Sequence, residues 1–180
     1  MARFMEKLNS LVVTATSPDG NIKSRLVGGE NLTLAFRPGS YRDYSETVLA
    51  DQLAKLGILT WTTYHRGWLK ALGEVNGEKY TKKPQHWNAN HRRYDEAIAE
   101  AVTQGTSPSG RIEMRAKGLA FWKVRVADGT VEELEEQHFT EEAVAAFRNV
   151  QLDMKRQMIL FKEKYIGLTL PASWKAKLPI

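Results

Sequence analysis

The sequence predicts an α+β protein built from two α-β-β-β-α units in tandem. Each unit is a three-stranded antiparallel meander plus a long helix, and the two pair as a pseudo-dimer within one chain. Three observations predict this. Thr16-Ser17-Pro18-Asp19-Gly20-Asn21-Ile22 returns ninety positions later as Thr106-Ser107-Pro108-Ser109-Gly110-Arg111-Ile112. The same offset carries residues 3–39 onto 93–129 without a gap, with Arg3, Glu6, Val12, Arg25, Gly28 and Gly39 also repeated identically. Within each copy, apolar residues alternate in short runs between turn residues and then switch to helical spacing.

Residues 2–11 read as a short helix with Phe4, Met5 and Leu8 on one side. Residues 11–17 are β-branched and extended. Pro18-Asp19-Gly20 is turn chemistry, because proline fixes φ and Asp-Gly suits a tight hairpin. Ile22, Ser24 and Leu26 then alternate with Lys23 and Arg25, as a half-buried strand requires. Gly28-Gly29-Glu30-Asn31 turns the chain into a third strand with Leu32, Leu34 and Phe36, ended by Pro38-Gly39. Ser45, with Glu46 behind it, opens a long helix carrying Leu49, Leu53, Leu56, Tyr64, Trp68 and Leu72. Gly57 and Gly67 weaken that helix, so a break near either is allowed.

The second copy repeats the plan. Residues 93–102 form the short helix; Ile112, Met114 and Ala116 face one way, and Trp122, Val124 and Val126 belong to the next strand. Residues 129–139 read as an acidic connection, after which Thr140-Glu141-Glu142 opens the second long helix. It carries Val144, Phe147, Val150, Met154, Met158, Phe161 and Tyr165 at steps of three and four, and Gly167 and Pro171 end it. The chain therefore divides into a first unit (1–72), a basic linker (73–91) and a second unit with a C-terminal tail (92–180). Each unit alone has a marginal core, and fusion lets the two cover one another's apolar faces.

Composition narrows the function. There is no cysteine, which excludes disulfides and thiolate chemistry and agrees with a cytoplasmic protein. No stretch is long and apolar enough for a signal-peptide core or a bilayer span, so no membrane role is expected. A formal charge of +5 and a pI near 9.4 favour a polyanionic partner.

The plan and its residues resemble the YbaB/EbfC family of nucleoid-associated proteins, most closely its actinobacterial branch. The resemblance is carried by Val12-Val13-Thr14-Ala15-Thr16-Ser17-Pro18-Asp19-Gly20, the glycine turn Gly28-Gly29, Leu32-Thr33-Leu34-Ala35-Phe36-Arg37-Pro38, Tyr41-Arg42 and the Ser45-Glu46 helix opening. In the second unit it continues through Gly110-Arg111-Ile112, Lys117-Gly118, Val124-Arg125-Val126 and the helix from Thr140. It implies a small dimeric α-β-β-β-α fold that binds double-stranded DNA with little sequence preference, in the nucleoid. Two units in one chain depart from the single-unit pattern; the pseudo-dimer could stand alone or pair again as a homodimer. Mycobacterial relatives are associated with type VII secretion, which opens a second reading as a protein-binding module serving secretion from inside the cell. No Trp-x-Gly turn or Tyr-x-x-x-Asp/Glu export signal is present.

The candidate phosphate contacts are basic. Arg111, Arg115, Lys117, Lys123 and Arg125 alternate with the apolar set of the second unit, and Lys23, Arg25 and Arg37 hold the same phase in the first. With Lys79, Lys82, Lys83, Arg92 and Arg93 they form either a stripe for DNA phosphates or a solvated polar sheet face. The acidic run Glu132, Glu133, Glu135, Glu136, Glu141 and Glu142 either repels DNA or is a solvated loop leading into a helix start. Leu53, Tyr64, Trp68, Phe147, Met154, Met158 and Phe161 are the candidates for a unit–unit or oligomer interface. Trp61 and Trp68 read as packing residues, or as a stacking platform for single strands if exposed. Trp87 sits in the linker beside His86 and His91, and Trp174 near Lys175 and Lys177 is a candidate anchor for the tail. His86 and His91 lie five apart with no third ligand in view, so no metal is expected. No nucleophile–base arrangement, phosphate loop or paired-carboxylate motif stands out, so neither catalysis nor a cofactor is expected.

Overall fold

The computed structural model describes residues 2–167. The tail residues Trp174, Lys175 and Lys177 lie outside the described residues. The first unit runs α1 (Ala2–Asn9), β1 (Val12–Thr16), β2 (Ile22–Val27), β3 (Asn31–Phe36), a 3-10 turn (Tyr41–Asp43) and α2 (Glu46–Asn76). The second runs α3 (Ala89–Glu100), β4 (Val102–Thr106), β5 (Ile112–Lys117), β6 (Phe121–Val126), α4 (Thr130–Glu133) and α5 (Glu136–Ile166). The strands form two antiparallel meanders, β1-β2-β3 and β4-β5-β6. All six strands and both 31-residue helices keep the offset of ninety at both ends, so the repeat extends well past Gly39. It ends at Gly77 and Gly167, which close the two long helices with left-handed φ of 72° and 75°.

The shared Ser-Pro-x-Gly motif has a local cause. The buried Ser17 hydroxyl accepts from the Ile22 N–H at 2.9 Å, and Ser107 does the same for Ile112 at 3.1 Å. Each turn is then tied to its long helix at equivalent positions. The Asp19 N–H donates to Gln52, and the Ser109 N–H donates to Glu142. Along β2, Ile22, Ser24 and Leu26 are buried while Lys23 and Arg25 are exposed, as the alternation requires. Ser24 and Thr60 satisfy each other inside at 2.6 Å; the equivalent residues of the second unit, Met114 and Val150, are a buried apolar pair.

Three boundaries differ from expectation. α2 runs unbroken through Gly57 and Gly67, because packing on the sheets outweighs their poor propensity. It continues to Asn76, where Gly77 supplies the cap, and α3 starts at Ala89, so the connection is 77–88 rather than 73–91. α5 starts at Glu136 instead of Thr140, which brings Phe139 into its first turn and wholly inside the core.

The two units share one core. α2 packs on β1 and β2 of its own sheet and along β6 of the other; α5 packs on β4 and β5 and along β3. One cluster of buried apolar side chains runs from Val13, Leu26 and Leu53 through Trp122 and Phe139 to Met154. Phe36 and Tyr41 meet Phe139 edge-on or tilted, at 6.0 and 5.3 Å between ring centroids. Arg42 joins the halves by donating to the carbonyls of Val131 and Glu132 and pairing with the Glu135 carboxylate at 2.8 Å. In return the Val131 N–H donates to Glu46 at 3.1 Å, and Gln151 donates to the Gly29 carbonyl at 2.5 Å. The second halves of the long helices extend past this core, where α1 covers α2 and α3 covers α5. No helix among the described residues is long and apolar enough to cross a membrane.

Candidate nucleic-acid interface

The outward positions of the two sheets are chemically unequal. On the first sheet Arg25 lies between Thr14 and Thr33, and Lys23 lies between Thr16 and Ala35. Lys23, Arg25 and Arg37 are exposed and make no ion pair among the described residues. On the second sheet most cations are neutralised locally. Arg125 pairs with Glu113 opposite it at 2.8 Å, Lys117 with Glu100 at 2.6 Å, and Arg111 with Glu133. Glu113 is held below the ordinary carboxyl value by its bond to Arg125. Arg115 and Lys123 face each other across β5 and β6 without an ion pair among the described residues. The alternation read from the sequence is therefore real, but it mixes free and neutralised charge.

The acidic run is partly consumed by these contacts. Glu133 serves Arg111, Glu135 serves Arg42 across the unit boundary, and Glu142 holds the Ser109 turn. Burial raises the Glu142 carboxyl, but hydrogen bonds from Ser107 and Ser109 outweigh it and hold the group below its ordinary value.

Positive charge is concentrated elsewhere. Between Arg66 and Arg93 seven basic residues stand against two acidic ones, an excess equal to the formal +5 of the whole chain. This stretch is the last turns of α2, the connection 77–88 and the start of α3. The connection folds back on α2, so that Arg66, Lys70 and Lys79 line one groove together with Glu74, Glu78 and Tyr80. The His65 imidazole is held below its ordinary value by burial and then by the nearby Lys83. Lys83 itself binds Asp95 of α3 at 2.6 Å, and Arg92 is spent on the carbonyls of His86 and Trp87. Lys79, Lys82 and Arg93 are exposed with no ion pair among the described residues.

The aromatic candidates divide cleanly. Trp61 is tilted against Tyr64 at 5.3 Å, and Trp68 meets Phe4 edge-on at 5.8 Å and stacks on His65. Trp122 stacks on Phe147 at 5.6 Å and donates its indole N–H to the Leu119 carbonyl at 2.7 Å. Trp87 alone of these is almost fully exposed, at 90%. Among the interface candidates, Leu53, Phe147 and Met154 are buried, and Met158 and Phe161 pack partly buried against the shared core. Tyr64 packs over Gly29, and Trp68 against α1, both within the first unit. The sequence reading did not single out Phe36, Tyr41, Arg42, Gly57, Trp122, Phe139 or Gln151 as unit–unit contacts. Extending the ninety-residue offset through the helices would have aligned the two packing faces and exposed the pair Gly57 and Phe147.

An apolar cavity of about 40 Å³ lies at the unit boundary, lined by Leu26, Leu34, Leu56, Gly57, Trp122 and Phe147 among others. That size suits a water-sized packing void and not an organic ligand. His86 and His91 rings lie 5.2 Å apart, and Asp95, 3.6 Å from His86 Nε2, is engaged by Lys83 at 2.6 Å. No protein-family model and no curated protein matches this chain.

Proposed function

We propose that this protein binds double-stranded DNA without sequence specificity, as a cytoplasmic nucleoid-associated or regulatory factor of the YbaB/EbfC kind, and not as an enzyme. The observation that carries the reading is the unbalanced charge between Arg66 and Arg93, equal to the net charge of the chain. Phosphate contacts need cations not already paired with carboxylates, and Lys79, Lys82 and Arg93 meet that requirement together with Lys23, Arg25 and Arg37. The five cations of the second sheet contribute less, because Arg111, Lys117 and Arg125 already hold carboxylates. The resemblance in the hairpin and glycine-turn motifs supports the same reading.

The test is fluorescence anisotropy of a labelled duplex over a range of salt. The expected result is a linear fall of log affinity with log salt and no preference among duplex sequences. Absence of binding at low salt removes the reading. A second reading, a protein-binding module, draws on one feature: Val102, Lys117 and Phe121 form one outward row on the second sheet, with Phe121 exposed by 69%. A stoichiometric protein partner, found with no duplex binding, would select it.

A further inference from the structure

Resting on the nucleic-acid reading above, we infer that the connection between the units is a site for single-stranded nucleic acid, with the Trp87 indole stacking on unpaired bases and Lys79, Lys82 and Arg93 holding the backbone phosphates. The indole is 90% exposed, yet the backbone that carries it is fixed. Arg92 donates to the carbonyls of His86 at 3.1 Å and Trp87 at 2.6 Å. One residue on, the Asn88 side chain accepts from the Asn90 N–H at 2.8 Å and caps α3. Lys83, bound to Asp95 at 2.6 Å, pins the other side of the connection to the same helix. The ring therefore stands out from a braced support, free of any ring contact within the described residues.

A large apolar ring left in water is unfavourable, and no packing among the described residues offsets it. The surrounding charge selects the partner. Lys79 and Lys82 precede the ring and Arg93 follows it, all exposed and without ion pairs among the described residues. Cations tracking a backbone beside an aromatic face are the elements of single-strand recognition, in which a base stacks at about 1–3 kcal/mol. Inside a duplex each base face is already covered by its neighbours, so stacking the indole there would first cost unstacking. The inference thus adds a preference for gaps, ends and unwound stretches to general duplex binding.

The experiment uses the full-length protein with labelled dT20 and a 20-base-pair duplex, in wild type, Trp87→Ala and Trp87→Phe. Circular dichroism confirms that the variants fold, which the exposure of residue 87 favours. The expected result is about tenfold weaker dT20 binding for Trp87→Ala, most of the affinity retained by Trp87→Phe, and duplex affinity unchanged within about twofold. Binding of dT20 should also shield tryptophan fluorescence from acrylamide in wild type and less so in Trp87→Ala. Unchanged dT20 affinity in Trp87→Ala, or an equal loss on dT20 and duplex, overturns the stacking site while leaving the duplex-binding reading in place. Failure to bind either nucleic acid overturns both readings.

Discussion

Gly57 on α2 faces the Trp122 ring on β6 across the boundary between the units; a Cβ built on Gly57 would stand 2.9 Å from the indole Cγ. The missing side chain is what lets α2 lie close along the other sheet. At the equivalent positions the sizes are reversed, with Phe147 on α5 and Leu32 on β3 lining the same cavity. Small helix residue with large strand residue on one side, and large with smaller on the other, makes the halves complementary rather than interchangeable. A pair of first units would oppose Gly57 to Leu32 and leave a void, while a pair of second units would oppose Phe147 to Trp122 and crowd it.

Gly57→Phe should therefore destabilise the protein by at least about 1–3 kcal/mol through overpacking. Adding Trp122→Leu, which copies the other side of the boundary, should recover part of that loss. Urea denaturation of both singles and the double gives the coupling energy, and additive effects would show that the two residues do not pack against each other.

Tyr41 is almost wholly buried, and its hydroxyl has no hydrogen-bond partner among the described residues. Burial, opposed by Arg42, pushes its phenol up to about 12. Its ring packs with Phe36 and Phe139 at the seam. Tyr41→Phe keeps the ring and removes the unpaired group, so stability should hold or rise by roughly 1 kcal/mol. A loss of similar size in thermal unfolding would reveal a partner for the hydroxyl.

The two turn-to-helix ties predict different acid sensitivity. Gln52 cannot titrate, whereas Glu142 has a carboxyl held below its ordinary 4.5 by Ser107 and Ser109 against the effect of burial. A depressed folded value means the stabilisation is present above the unfolded pKa and lost as pH falls through the folded one. Asp19 behaves likewise: burial raises it, but Ser17, Tyr44 and backbone N–H groups together hold it below 3.8. Glu142→Gln, which copies the first unit, should flatten the decline in stability below about pH 4.5. An identical pH profile in wild type and variant would exclude Glu142 from the acid response.

Charge removal should sort the cations. Replacing Lys79, Lys82 and Arg93 by alanine should lower the salt slope of duplex binding by up to about 0.9 for each phosphate that is no longer neutralised. Arg125→Ala should change it little, because Arg125 already holds Glu113. The reverse order in anisotropy titrations would move the interface onto the second sheet.

Much of the fold is legible in the sequence because short-range rules govern it. The period-two burial of Ile22, Ser24 and Leu26, the hairpin serines and the Ser45 cap, which accepts from the Val48 N–H, all follow from neighbours along the chain. The start of α5 escapes local pattern for a specific reason. Glu135 stands where Ser45 stands but makes no side-chain cap bond, since its carboxylate is taken by Arg42 of the first unit. The long helices hide their kinship because their packing faces differ: Leu53 is matched by Ala143, Gly57 by Phe147 and Trp61 by Gln151. Among the candidate phosphate-binding residues, alternation gives the exposed positions, but not that Glu113, Glu100 and Glu133 neutralise three of them. Those partners are set by register and tertiary approach, which local pattern does not encode.

The connection at residues 77–88 also sets how the halves meet. Two separate copies of such a unit would assemble only as their abundance allowed, and would come apart on dilution. Here each half finds the other at a local concentration fixed by the tether, of order millimolar for a short flexible one. Pairing then follows unimolecular kinetics in a fixed one-to-one ratio, and its extent does not depend on how many copies a cell holds.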